Sequence, residues 1–179
     1  MLANQANQYG VVQIALHWLI AVTIFGLFGL GLWMVDLTYY SSWYRTAPDL
    51  HRSIGVLVVS LMVFRLLWRL ANPKVESIPT HKNWERKLAH VTHALMYGLM
   101  LLLAISGYMI TTAKGQPLHV FDWFSIPAIS TGIEYQEDIA GDLHEIFAWS
   151  LIGLALLHIA GALKHHFVDR DNTLKRMLP

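Results

Sequence analysis

The sequence predicts an all-α fold, an integral membrane four-helix bundle. Three observations carry that prediction. Of 179 residues, 55% are hydrophobic and only 14% are charged, a balance foreign to most soluble domains. The apolar residues gather into four runs, each close to the ~20 residues that a helix needs to cross hydrocarbon. The charged residues fall mainly between those runs. Composition also excludes several function classes. With no cysteine, the chain has no disulfide, no iron–sulfur ligands and no thioether attachment point. A net charge of +1 gives no general attraction to nucleic acid. Ten histidines remain as the strong metal-ligating side chains.

The first span covers about 14–35, IALHWLIAVTIFGLFGLGLWMV. The preceding MLANQANQYGVVQ lacks a basic n-region, and the run is too long for a signal-peptide core, so it reads as a retained helix. The second span, about 51–70, is HRSIGVLVVSLMVFRLLWRL, and the third, about 88–112, is LAHVTHALMYGLMLLLAISGYMITT. The fourth covers about 143–166. A long outer loop, 113–142, separates spans three and four, and a loop of that length is usually functional. Its VFDWF and IPAI pieces are apolar and aromatic enough to lie along the membrane interface. With no internal repeat or low-complexity linker, residues 1–179 read as one membrane domain.

Charge asymmetry sets the expected orientation. The 69–87 connection carries Arg69, Lys74, Lys82, Arg86 and Lys87, and the end of the chain adds Lys164, Arg170, Lys175 and Arg176. The opposite side has Arg45, Arg52 and Lys114, set against Asp122, Glu134, Glu137, Asp138 and Asp142. By the positive-inside rule both termini face the cytoplasm.

Orientation converts sequence position into depth. Histidine is costly in hydrocarbon, so each one inside a span asks for a reason. His144 and His158 are fourteen residues apart on span four, which places them ~21 Å apart in depth and within ~40° of one face. His51, at the start of span two, shares the outer level with His144; His17, near the start of span one, shares the inner level with His158. Two histidine pairs stacked across the membrane suit two macrocycles, each ligated on both faces by neutral imidazoles. His93 reaches the inner level as well, so spacing leaves the choice of inner partner open. Gly26, Gly29, Gly31, Gly55, Gly153 and Gly161 fit either room for a flat cofactor or close helix packing. Arg52 adjoins His51 and is placed to meet haem propionates. Arg65 and Arg69, four apart on span two, suit propionates or lipid phosphates equally. His90 fits an interface anchor, His165 and His166 fit headgroup or propionate contacts, and His81 and His119 in the loops receive no role.

The HW at 17–18, LHRSIG at 50–55, LHEIFAW at 143–149, LHIAGALKHHF at 157–167 and DNTLKRM at 171–177 resemble the bacterial cytochrome b561 family, over nearly the whole chain. The resemblance implies a four-helix inner-membrane cytochrome with two haem b groups. It implies His17 with His158 as axial ligands of the inner haem and His51 with His144 for the outer. It also implies an oxidoreductase of the superoxide:ubiquinone type, or a relative that carries electrons between quinone and periplasmic partners. The stretches at 31–48 and 117–128 look more like a sibling subgroup.

The expected function is therefore a transmembrane dihaem cytochrome passing electrons between a periplasmic donor, such as superoxide, and ubiquinone in the bacterial inner membrane. A rival is a haem-bearing subunit that serves a periplasmic redox partner without an oxidase activity of its own. A third reading is a non-redox membrane protein whose histidines bind zinc or line a proton path; zinc fits poorly because pairs ~21 Å apart with few nearby carboxylates do not form a tetrahedral cluster.

Overall fold

A computed structural model describes residues 1–129 and 131–178; Ser130, inside the expected outer loop, and Pro179, at the domain's end, lie outside the described residues. The four apolar runs form four long helices: α1 (Val11–Met34), α2 (Thr46–Ala71), α3 (Asn83–Thr112) and α4 (Gln136–Phe167). Each starts before its apolar run, at Thr46 rather than 51 and at Gln136 rather than 143. In α2, α3 and α4, polar first turns account for the difference. Glu137 and Asp138 open α4, while Lys164, His165 and His166 close it, both favourable to the helix dipole. At the start of α3, Glu85 Oε2 accepts from the backbone N–H of Lys82 at 2.8 Å, satisfying one orphan donor. His51 consequently sits inside α2 rather than at its first residue.

Hydroxyls within the helices are satisfied locally, as hydrocarbon demands. Thr23 donates to the Leu19 carbonyl at 2.7 Å, Ser60 to Val56 at 3.0 Å and Ser150 to Ile146 at 2.7 Å. The outward faces are apolar: Val22 and Leu157 are each 68% exposed, surface that water would penalise and acyl chains accept. All four helices are long and apolar enough to cross a membrane.

The bundle is two hairpins. α1 packs along α2 and α3 along α4; between the hairpins, among the described residues, α2 and α3 make the main close approach. A mid-bundle apolar cluster of Ile20, Val58, Met62, Met100 and Leu151 joins all four helices. An added Cβ at Gly26, Gly29, Gly55, Gly153 or Gly161 would meet nothing within 4 Å, so these glycines do not serve close helix packing.

The loop after α3 contains an element the sequence did not announce. Strands β1 (Leu118–Val120) and β2 (Phe124–Ile126) pair antiparallel, with Val120 opposite Phe124. Three-residue strands are too short for alternation to register. Leu118 and Val120 are buried while Trp123 and Phe124 are exposed, so only part of the aromatic stretch faces outward. The Phe121 N–H donates to Ser53 Oγ at 2.8 Å, fastening the hairpin to α2 two residues beyond His51.

At the other end of the bundle the termini meet. Ala6 accepts from the Glu76 N–H at 2.8 Å, Asn4 donates to the Pro73 carbonyl at 3.2 Å, and Trp18 Nε1 donates to the Met177 carbonyl at 2.6 Å.

Candidate functional site

The four histidines singled out by depth lie at two levels, each bridging the two hairpins. At the termini end, the rings of His17 on α1 and His158 on α4 have centroids 6.2 Å apart, at 74° between planes. At the hairpin-loop end, His51 on α2 and His144 on α4 are also 6.2 Å apart, at 67°. His93 on α3 stands closer to His158, at 5.0 Å and 67°.

The surroundings of each ring are specific. Gly31 faces His51, where an added Cβ would meet Cε1 at 3.4 Å, and Gly107 faces His144, with Cε1 at 3.3 Å. Ser106, buried on α3, donates to the Leu102 carbonyl at 2.8 Å and has its oxygen 3.0 Å from Nδ1 of His144. A hydroxyl has one hydrogen, so with that hydrogen on Leu102 its lone pairs are free to accept from Nδ1–H. Sequence reasoning missed Ser106. Its place one residue before Gly107 is visible in the sequence, but nothing there says that α3 turns this face to His144. His51 Nδ1 is buried and makes no well-aligned hydrogen bond, with the Leu27 backbone as its neighbouring partner.

Arg65 does not point to lipid. It is half-buried and donates to Tyr97 Oη at 3.1 Å, with Nη2 3.3 Å from Nδ1 of His17. Arg69, one turn on, is exposed. His90 is exposed and bonds the Arg86 carbonyl at 2.7 Å, a local contact of the kind an interface residue makes.

At the loop end, two of the three cations are neutralised. Arg52 pairs with Asp49, and Lys114 Nζ lies 2.6 Å from Glu137 Oε2. Glu137 holds the Lys114 ammonium above its usual range, so it stays charged but paired. Arg45 and Arg52 share an open cleft of about 630 Å³ with Met34, Leu37, Tyr44 and Pro48, beside the His51 level. At the termini end, burial pushes the Asp171 carboxyl up, but the Thr173 hydroxyl and backbone N–H, His81 and His165 outweigh it and hold it down to about 2.

Fold and site together define a class: a multi-pass membrane protein whose chain places opposed imidazoles between two helical hairpins. The family model for prokaryotic cytochrome b561 matches residues 8–179, and the chain belongs to that family of membrane haem proteins. It is similar to cytochrome b561 homolog 2 of Escherichia coli K12, at 47% identity over 98% of this chain and 93% of that protein. It is 29% identical to cytochrome b561 homolog 1 of the same organism, over 97% of this chain and 98% of that one. A probable superoxide oxidase of Yersinia pestis is 30% identical over 97% of each chain. Family membership implies b-type haem and a role in electron transport.

Proposed function

We propose that the protein is a dihaem b cytochrome that carries electrons across the bacterial inner membrane, with both termini in the cytoplasm. The observation that carries the reading is the pair of 6.2 Å imidazole separations, one at each level, both across the gap between hairpins. With metal–imidazole bonds of about 2.0–2.1 Å, as zinc makes, a gap of this size leaves room for one metal between two facing nitrogens. The 5.0 Å separation of His93 and His158 is too short for that arrangement, which favours His17 as the inner partner. Haem b, when bound, supplies reversible one-electron chemistry.

The chain's own groups hold, orient and insulate. His17 with His158 and His51 with His144 would hold the two haem groups. Ser106, by accepting from Nδ1, fixes the His144 tautomer that leaves Nε2 free to ligate. Arg65 can only donate, so once Nδ1 of His17 carries the proton it is left to Tyr97 and a propionate. Arg52, next in sequence to His51 and paired with Asp49, is the candidate propionate partner at the outer level. Ile20, Val58, Met62, Met100 and Leu151 keep water out of the interval between levels. The cytoplasmic placement of the termini rests on the cation excess of the 69–87 loop and the chain end.

Superoxide is the donor suggested by the Yersinia pestis relative's name. Two superoxide ions would give two electrons and two O2, and ubiquinone entering laterally from lipid would take those electrons with two protons to become quinol. The ion pairs on Arg52 and Lys114 favour a second reading, in which an extracytoplasmic redox protein docks on the exposed Trp123 and Phe124 and delivers electrons instead. Stopped-flow mixing of the purified, haem-loaded protein with superoxide, with and without quinone, distinguishes them. Fast haem reduction, followed by reoxidation only with quinone, is expected; sluggish reduction without a partner would transfer the assignment to the second reading. A purified protein without split haem b absorbance would end both.

A further inference from the structure

We infer that the termini end carries a transition-metal site, of the kind that takes Zn2+, built from His81, His165 and Asp171. These residues come from three separate parts of the chain: the α2–α3 loop, the last turn of α4, and the segment after it. Their ligand atoms, one from each residue, all lie within 4.8 Å of one another. His81 Nε2 is 2.8 Å from Asp171 Oδ2, and His165 Nδ1 is 3.2 Å from the same oxygen. The side chains are nearly enclosed, with His81 and His165 each 15% exposed and Asp171 8%. Two imidazoles and one carboxylate are a common protein contribution to tetrahedral zinc. Ligands bonded at about 2.0–2.1 Å to one tetrahedral zinc stand about 3.3 Å apart, so closing the site needs shifts of only tenths of an ångström at these two contacts.

The second observation is a buried nitrogen that faces two carboxylates without bonding either in line. His165 Nδ1 is buried and makes no aligned hydrogen bond, although Asp169 Oδ2 is 2.7 Å away and Asp171 Oδ2 3.2 Å. Buried polar atoms rarely sit between two acceptors without an aligned bond, and a cation shared with those carboxylates would satisfy all three groups. The frame is also set in advance. The Thr173 N–H donates to Asp171 Oδ1 at 2.7 Å, leaving Oδ2 to the histidines. The Asp171 N–H donates to the His165 carbonyl at 3.1 Å, and the His81 N–H to Ile78 at 3.2 Å. The ring centroids of His81 and His165 are 4.2 Å apart, at 33°.

A neighbouring cluster of Glu85, His165 and Asp169, with one imidazole and two carboxylates, has the wrong electrostatics. Lys164 Nζ already lies 2.6 Å from both carboxylates and stands where a metal's charge would be needed. The Asp171 cluster has no such cation within ion-pair distance of its carboxylate among the described residues, and water would complete the coordination.

A bound metal would tie the chain's last segment to the α2–α3 loop. Full-length, haem-loaded protein in detergent, stripped with chelator, should take up one Zn2+ per chain in a titration against a chromophoric competitor. Zinc K-edge absorption should show imidazole scattering in the bound state. His81→Ala, His165→Ala and Asp171→Asn should each weaken uptake at least tenfold while keeping the haem spectrum, and His119→Ala should leave it unchanged. Failure of the unaltered chain to bind stoichiometric Zn2+, or equal binding in Asp171→Asn and the parent, would overturn the site and leave a hydrogen-bonded latch. Neither outcome depends on the electron donor or on quinone.

Discussion

Replacing Ser106 with alanine tests the proposed outer haem site through a residue that would touch neither iron nor porphyrin. The Ser106 hydrogen is committed to Leu102 at 2.8 Å, and its oxygen faces Nδ1 of His144 at 3.0 Å. Alanine removes that acceptor and leaves the His144 ring the Leu103 carbonyl as its remaining partner. Losing one such bond costs about 0.5–1.5 kcal/mol, which at about 1.4 kcal/mol per tenfold is roughly 2- to 12-fold in affinity. The low end of the 10–100-fold typical of changes behind a metal ligand overlaps that range. The same acceptor makes the imidazole more basic and so favours ferric iron. Its removal should therefore raise the outer midpoint potential, by about 59 mV for each tenfold difference between the two oxidation states. Haem content by pyridine haemochrome, and a redox titration followed on the split α band, measure both effects. The inner component should not move, and Ser106→Thr, which keeps the hydroxyl, should restore the outer one. Full haem content with an unchanged outer midpoint in Ser106→Ala would refute the reasoning.

Three further outcomes follow from the same geometry. His144→Ala should halve the haem content per chain and leave the inner spectrum intact; loss of both groups would mean that the levels do not bind independently. His93→Ala should keep both spectral components, since its 5.0 Å distance from His158 is short for an axial pair; disappearance of the inner one would reassign the ligand. Arg65→Gln removes a half-buried cation beside His17, and should lower the inner midpoint on the order of tens of millivolts, because a nearby positive charge favours the reduced site; an unchanged potential would remove Arg65 from that role.

Much of the site was legible because the bilayer simplifies the problem. A span must be helical, so sequence position becomes depth at a known rise, and His144 and His158 fall on one face at two levels without any tertiary knowledge. Which histidines face them was less legible. Depth alone admits His17 and His93 equally at the inner level, because depth carries no information about which helix is turned where.

Arg65 makes the same point: four residues from Arg69, it reads as one of a basic pair, yet one turns to Tyr97 and His17 and the other to the exterior. The β-hairpin was illegible for another reason. Its strands are three residues long, and what stabilises it is burial of Leu118 and Val120 and the Phe121–Ser53 bond, all long-range.

The sequence by itself determined the membrane class, the four spans and the two histidine levels, since these rest on composition and helical rise, which are local. Only the tertiary structure decided the partners: Ser106 behind His144, Arg65 beside His17, Glu137 on Lys114, and His81 with His165 and Asp171. Those pairings join residues 23 to 90 positions apart in the chain, and their contacts depend on how each helix is rotated and where each loop closes. Local periodicity carries neither quantity; packing sets both.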